Sequence, residues 1–312
     1  MRPEDKIYVA GHQGLVGSAI VRRLEIAGFH NLILRTHKEL DLTSQAETEA
    51  FFQQERPDYV FVAAGLVGGI KANSEAPADF FRVNMSIAEN VLWSAHNSGV
   101  RKLLYLGSAC MYPKECAQPM REEELLTGLP EYTNEGYALA KICGSRLCGY
   151  LRHQYGDDFI CAIPANTYGP GDSFDPAHSH VIPALLLKYH HAKLHGLPSV
   201  ELWGTGKALR EFIYVDDLAD GCLFLMEHYS GEMPINMGTG SEVSILELSQ
   251  MIREIVGYTG EIVCDPTKPD GMLRRMVDSS RLTAMGWNPT VKLYTGIKKM
   301  YGLFLTADAQ NA

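Results

Sequence analysis

Lys6-Ile7-Tyr8-Val9-Ala10-Gly11-His12-Gln13-Gly14-Leu15-Val16-Gly17 decides the fold of this chain. Its first residues read as a short buried strand, and those from Leu15 to about Ala27 follow as an amphipathic helix. Strand, glycine loop and helix come in the order a dinucleotide site needs. Glycines let the backbone approach a pyrophosphate, and the helix N-terminus faces its charge. The spacing is GxxGxxG, one residue longer than the commonest fingerprint; alone it would suit a tight turn, and the flanking elements favour a cofactor.

The pattern repeats downstream. A strand at Leu32 to Leu34 ends in Arg35-Thr36-His37, where an NAD site usually carries an acid and a 2′-phosphate site carries basic groups. No acid stands there, so NADP is favoured over NAD, and Asp41 is expected near the adenine. A helix from about Gln45 to Gln54 leads to a strand at Tyr59 to Ala64 and the small residues Gly65-Leu66-Val67-Gly68-Gly69. A long helix, roughly Pro77 to Asn97, precedes a strand at Lys102 to Leu106 that ends in Gly107-Ser108-Ala109-Cys110-Met111-Tyr112. Ligands of open parallel sheets sit at the carboxyl ends of strands, which places Ser108 and Cys110 where chemistry would occur. A lone cysteine is otherwise most often a small buried hydrophobe.

Tyr137-Ala138-Leu139-Ala140-Lys141 reads as the start of a helix that Asn134 can cap. Tyr137 and Lys141 then share a face. A free phenol, with a pKa of about 10, is a poor base near neutrality. A fixed ammonium beside it is expected to draw that value down. Tyrosine-lysine pairs at this spacing usually mark an ordinary surface helix, so other stretches must carry the chemistry with it. A strand at Phe159 to Ile163 and the loop Pro164-Ala165-Asn166-Thr167-Tyr168-Gly169-Pro170-Gly171 follow.

This alternation predicts an α/β fold: a doubly wound sheet of six or seven mostly parallel strands. The texture changes after about residue 171. The expected nucleotide domain is 1–171 with a returning segment at about 211–240; a smaller, discontinuous domain at about 172–210 and 241–312 binds the substrate. Residues 172–180 read as loop, Val181 to His195 and Ile245 to Val256 as helices, and Glu201 to Gly204, Arg210 to Val215 and Glu261 to Cys264 as strands.

Composition excludes other classes. The 312 residues are 46% hydrophobic and 21% charged, as in ordinary globular proteins. The net charge of −9 argues against non-specific nucleic-acid binding. Cations on loops of the second half, among them Lys188, Arg210 and Arg275, still suggest an anionic substrate. The polar start and the lack of a long apolar run predict neither signal segment nor membrane span. Seven cysteines without a CxxC pair predict reduced thiols in a cytoplasmic protein, with no metal site.

The glycine loop, Ser108 and Tyr137-x-x-x-Lys141 together resemble the extended short-chain dehydrogenase/reductases. Val67-Gly68-Gly69-Ile70, Gly107-Ser108-Ala109-Cys110-Met111-Tyr112-Pro113-Lys114, Ser179-His180-Val181-Ile182-Pro183-Ala184-Leu185 and Lys268-Pro269-Asp270-Gly271 resemble one family within it more narrowly. That family is the GDP-L-fucose synthases, NADPH-dependent 3,5-epimerase-4-reductases of GDP-4-keto-6-deoxy-D-mannose. The likeness runs over roughly residues 6 to 300. It implies a catalytic set of Ser108, Tyr137 and Lys141, with Cys110 and His180 as acid-base groups for epimerisation. It implies a cofactor lining of Gly11 through Gly17 (with His12, Gln13, Leu15 and Val16), Arg35, His37, Asp41, Leu42, Ala63, Ala64, Leu66, Leu106, Gly107, Lys141, Pro164, Asn166, Thr167 and His180. Lys188, Trp203, Arg210, Asp270 and Arg275 would meet the GDP-sugar, and a homodimer is expected.

Five positions depart from the family pattern. Gln13 and His37 replace arginines that greet the 2′-phosphate, which predicts a narrower NADPH preference and leaves NAD possible. Lys188 replaces an arginine, keeping charge without the bidentate fork. Ala109 replaces a serine and Gly136 a proline. Two other readings stay open: another nucleotide-sugar 4-reductase or 4-epimerase, and a non-enzymatic dinucleotide sensor. A 4-epimerase would not need Cys110 with His180, and a sensor would not need an acid at Tyr137.

Overall fold

A computed structural model describes residues 1–175, 179–268 and 270–311, with the side chains of all but Ile70 and 307–311. Pro269 and three residues of the 172–180 loop therefore lie outside the described residues. The first half runs β1 (Ile7–Ala10), α1 (Leu15–Ile26), β2 (Leu32–Ile33), α2 (Gln45–Glu55), β3 (Tyr59–Val62), α3 (Ile70–Glu75), α4 (Pro77–Ser98), β4 (Lys102–Leu106), α5 (Glu135–Tyr155) and β5 (Phe159–Pro164). The second runs β6 (Asn166–Tyr168), α6 (Val181–Leu194), β7 (Ser199–Trp203), β8 (Leu209–Tyr214), α7 (Val215–His228), β9 (Ile235–Met237), β10 (Glu242–Ser244), α8 (Ile245–Val256), β11 (Glu261–Asp265), β12 (Arg274–Arg275), α9 (Ser280–Ala284) and α10 (Leu293–Asn311).

Among the described residues the main sheet has six parallel strands in the order β2-β1-β3-β4-β5-β9. β1 and β4 are buried along their whole length. Helices cover both faces of such a sheet, so its strands read as continuous apolar runs. The order of strand addition reverses between β1 and β3, and the loops after those strands diverge to open a crevice at their carboxyl ends. Gly11, at φ +80°, lies so close to β3 that a Cβ would stand 2.7 Å from the Ala64 backbone. At Gly17 a Cβ would stand 2.1 Å from the Gly11 carbonyl oxygen, so α1 can start there only on glycine.

A second core lies beyond this sheet. β8 pairs with β6, β10 and β12, while β7 pairs with β11. Tyr168, Tyr189, Phe212, Leu248, Ile252 and Ile297 pack together there. β8 itself belongs to this layer; α7 and β9 lead back to the main sheet. α7 returns against α1, with Arg22 bonded to Asp216 at 2.8 Å and Arg23 to Asp220 at 2.6 Å. The stretch read from sequence as a simple loop after β5 contains β6, whose register on β8 joins the two layers. Three residues forming local alternation with proline and glycine around them are too short a signal to separate from loop. No helix among the described residues is long and apolar enough to cross a membrane.

Candidate active site

Ser108 ends β4 in extended backbone and caps a single 3-10 turn, Ala109–Met111. The cap is what aims its hydroxyl: Ser108 Oγ accepts from the Cys110 amide at 3.2 Å. Tyr137 lies on the first turn of α5, which packs against α4 and this turn. Ser108 is also the group that favours the Tyr137 phenolate. Gly136 explains itself here. A Cβ at that position would stand 2.5 Å from the Pro77 carbonyl oxygen, so α5 closes onto the start of α4 only without a side chain.

Lys141 is buried one turn further along α5. Its Nζ donates to the Leu106 carbonyl at 2.9 Å and lies 5.9 Å from the Tyr137 ring centroid and 4.9 Å from that of Tyr105. The expectation that Lys141 draws the phenol down is corrected by this burial. Desolvation dominates at both groups, and it penalises whichever form is charged. Burial pushes the Tyr137 phenol well above its ordinary range, the charge of Cys110 adding to that and Ser108 opposing it. Burial pushes the Lys141 ammonium down to about 8. The tyrosine is thus held protonated, which is the form that donates to a ketone oxygen.

Asn134 does not cap α5 through its side chain, contrary to the sequence reading. Its amide instead donates to Cys110 Sγ at 3.1 Å. Arg275, from the far end of the chain, donates to the same sulfur at 3.4 Å. Two donors, one of them a guanidinium, therefore converge on the Cys110 sulfur. Asn134 stands three residues before Tyr137, but nothing in that spacing signals a thiol partner.

His180 stands immediately before α6 in extended backbone, with its side chain 46% exposed. Its Nδ1 lies 3.1 Å from Asp172 Oδ1. The bond and charge of Asp172 outweigh burial and raise the imidazole above its ordinary value. Asp172 was not singled out from the sequence. Neither was Asn84, a buried residue on α4 whose amide donates to the Leu66 and Phe80 carbonyls and whose Oδ1 is buried without a partner. Only glycine fits opposite it: a Cβ at Gly65 would stand 2.7 Å from that oxygen and 3.7 Å from Lys141 Nζ.

Of the residues expected to line a cofactor, Gly11 lies against Ala63 and Ala64, and Gly17 lies against Gly11 and His12. Gly14 begins α1 with no capping side chain, and the first turn holds no acid, so its N–H groups are available to a phosphate. His12 Nδ1 is buried without a partner. Arg35 is committed within the protein: its guanidinium bonds Glu55 at 2.6 Å and the Leu34 carbonyl at 2.9 Å, and stands over the Phe51 ring. His37 and Lys38 are exposed basic residues that follow β2, and His37 lies 3.9 Å from Asp41, whose carboxylate the Thr43 hydroxyl and amide hold below the usual range. Asn166 is pinned by donation to the Glu211 carbonyl at 2.8 Å, and the Thr167 hydroxyl donates to the Ala165 carbonyl at 3.2 Å. The close approach at Gly11 and Gly17, the uncapped start of α1 and the orphaned His12 nitrogen fit a dinucleotide.

The second half contributes a polar face. Arg210 and Arg275 are register partners on the adjacent parallel strands β8 and β12. Burial, then the charge of Arg275, pushes Arg210 down to about 10, against the opposing pull of Asp270. Side-by-side guanidiniums await an anion, since each raises the cost of the other until one binds. Asp270 accepts from the Thr205 amide at 2.7 Å and hydroxyl at 2.8 Å. Lys268 stands over the exposed Trp203 ring, and Lys188 donates to the Glu201 carbonyl at 2.6 Å. Arg275 is the link between this face and the Cys110 cluster.

A doubly wound sheet with Ser108, Tyr137 and Lys141 gathered at one strand end defines an epimerase/dehydratase-type oxidoreductase. The chain belongs to the NAD dependent epimerase/dehydratase family, whose model matches residues 7–238. It is similar to GDP-L-fucose synthase 1 of Arabidopsis thaliana, 54% identical over 300 residues that cover 96% of this chain and 93% of that protein. Among solved structures it is similar to a GDP-6-OMe-4-keto-L-xylo-heptose reductase from C. jejuni, with a TM-score of 0.93 at 38% identity, covering 98% of this chain and 99% of the other. It also resembles a GDP-L-fucose synthetase from Naegleria fowleri bound to NADP, with a TM-score of 0.90 at 27% identity, covering 99% and 96%.

Proposed function

We propose that this chain converts GDP-4-keto-6-deoxy-D-mannose to GDP-L-fucose, by epimerisation at C3 and C5 followed by reduction at C4. The observation that carries the reading is the donor-bound thiol beside the reductase set. Cys110 lies two residues past Ser108, and Asn134 and Arg275 hold its sulfur. A reductase without epimerisation needs no such thiol.

The 4-keto group acidifies the hydrogens on C3 and C5. Cys110 and His180 remove and return those protons. Ser108 and Tyr137 hydrogen-bond the C4 oxygen and stabilise the enolate that forms. NADPH, when bound, supplies the hydride for C4. Tyr137, held protonated by its burial, gives the C4 oxygen its proton. Lys141 keeps the tyrosine's face of the site positively charged, and the Leu106 carbonyl fixes its place. Arg210 and Arg275 take the diphosphate, while Lys188, Trp203 and Asp270 bind the rest of the GDP-sugar. The enzyme works in the cytoplasm, where reduced thiols persist. It acts as a homodimer through α4 and α5, which pack together and leave Phe81, Trp93, Leu139 and Tyr150 exposed. Sedimentation at micromolar concentration should give twice the mass of one chain; a monomer would remove the dimer.

The test is incubation with GDP-4-keto-6-deoxymannose and NADPH or NADH, with NMR identification of the product. GDP-L-fucose is expected. A GDP-6-deoxyhexose that keeps the starting C3 and C5 configurations would favour the 4-reductase reading, which the heptose reductase neighbour represents.

Cofactor choice follows from His37 and from the committed Arg35. NADPH should be preferred, by a smaller margin than two arginines would give. His37→Arg adds a permanent charge with bidentate donors and should lower KM for NADPH by about tenfold, one charge-assisted bond's worth. Equal KM values for NADPH and NADH in the parent, unmoved in the variant, would refute this account.

A further inference from the structure

We propose that Asp172 is the positioning residue of His180: a buried carboxylate that holds the imidazole Nδ1–H and so leaves Nε2 to exchange the substrate's proton. The inference rests on reading His180 as one of the two epimerisation groups, and it deepens that reading.

The geometry is specific. Asp172 Oδ1 lies 3.1 Å from His180 Nδ1, and the aspartate side chain is 3% exposed while the histidine is 46% exposed. Oδ1 also accepts from the Ser173 amide at 3.0 Å, and Oδ2 is buried with no partner among the described residues. A carboxylate buried with one oxygen unsatisfied is costly, and the nearby imidazolium is what offsets that cost.

The loop that carries Asp172 is built to keep it in place. Gly169, at φ +145°, lets the chain pass against Val215, and the Asp172 amide donates back to the Gly169 carbonyl at 3.1 Å. Gly171, at φ +94°, lies over Ser18 and Leu15 of α1. Phe174 then packs on Phe304 of α10, with ring centroids 4.8 Å apart. The loop that carries the carboxylate is thus held between α1 of the nucleotide half and α10 of the other half, and His180 precedes α6. An anchored acceptor fixes both the tautomer and the orientation of an exposed ring.

Other charged residues lie on the same loop and on the helices behind it. On α1 and α7, Arg22 and Asp216 bond each other at 2.8 Å. Asp175, on the same loop, receives the Ser179 amide on its carbonyl oxygen at 2.8 Å. Among the described residues, Asp172 is the group whose bond and charge raise His180 above its ordinary value.

The signs follow. Loss of the carboxylate leaves burial unopposed, and burial disfavours the imidazolium. His180 should then titrate at lower pH.

The experiment is an NMR titration of the full chain labelled at histidine Cε1, with the His180 resonance assigned by its disappearance in His180→Asn. The wild-type ring should titrate above about 6.5, the ordinary value. In Asp172→Asn its midpoint should fall by about one unit or more, the size of an opposite-charge contact. Asp172→Glu should recover part of that fall. In parallel, deuterium wash-in at C3 and C5 is followed against pH. The limb of the profile that His180→Asn abolishes should move to lower pH in Asp172→Asn, with NADPH binding retained. A purely structural brace would lower stability and leave both the resonance and the limb where they were, and that result overturns the proposal. Wild-type wash-in at both carbons in His180→Asn would overturn the underlying role of His180 and the catalytic use of the pair with it. The NMR midpoint separates the two failures, because it reports the Asp172–His180 contact without turnover.

Discussion

Tyr137→Phe is expected to slow NADPH oxidation by about two to four orders of magnitude, the usual worth of a positioned general acid. The substitution removes one oxygen and leaves the ring, which meets Phe80 edge-on with centroids 6.5 Å apart. Fold and cofactor binding should therefore survive. The loss falls on the step in which the C4 oxygen gains negative charge. Ser108 would remain as a donor there, though its hydroxyl also accepts from the Cys110 amide. Tyr137 by contrast is held protonated by burial, with the Lys141 ammonium over its ring. Single-turnover hydride transfer, followed by NADPH absorbance after rapid mixing with the 4-keto sugar, reads that step directly. A rate near wild type would show that the acid is elsewhere.

Cys110→Ser should separate the two halves of the reaction. A hydroxyl keeps the size of the thiol but ionises far less readily, so proton abstraction at carbon should fall by at least about a hundredfold, the low end for acid-base groups. The donors on the sulfur sharpen the expectation. Asn134 at 3.1 Å and Arg275 at 3.4 Å are placed around a sulfur, which a smaller and less acidic hydroxyl does not replace. Hydrogens at C3 and C5 should stop exchanging with deuterated water, or exchange at one carbon only. NADPH should still be oxidised slowly, because Ser108, Tyr137 and Lys141 are untouched. The product would then be an unepimerised or partly epimerised GDP-6-deoxyhexose. His180→Asn should also impair exchange, with a further loss of turnover where the ring meets the cofactor. NMR of the sugar after incubation in deuterated buffer reads both variants. Wild-type exchange at both carbons in both would remove the pair from the mechanism and leave a 4-reductase.

Much of this molecule is written in local pattern. β1, Gly11 to Gly17 and α1 announce a dinucleotide crevice because a buried strand, a loop that only glycine can close and an amphipathic helix each have a period or a residue that no other element shares. The same holds for β4 with Ser108 at its end, for Tyr137 and Lys141 on one face of α5, and for the capped α8, where Ser244 and Glu247 satisfy each other's backbone. Those are properties of a few consecutive residues, and the sequence alone determined them. What it left open is partnership across the fold. The amide of Asn134 turned from its helix to a thiol, Arg275 crossed the chain to reach the same thiol, and Arg35 closed on Glu55 instead of facing the mouth. Asp172 acquired His180 in the same way. The direction of the Tyr137 and Lys141 shifts also belongs to the tertiary structure. Spacing places an ammonium near a phenol, but depth decides whether attraction or desolvation prevails, and depth is set by what packs over the pair from α4, β3 and β4.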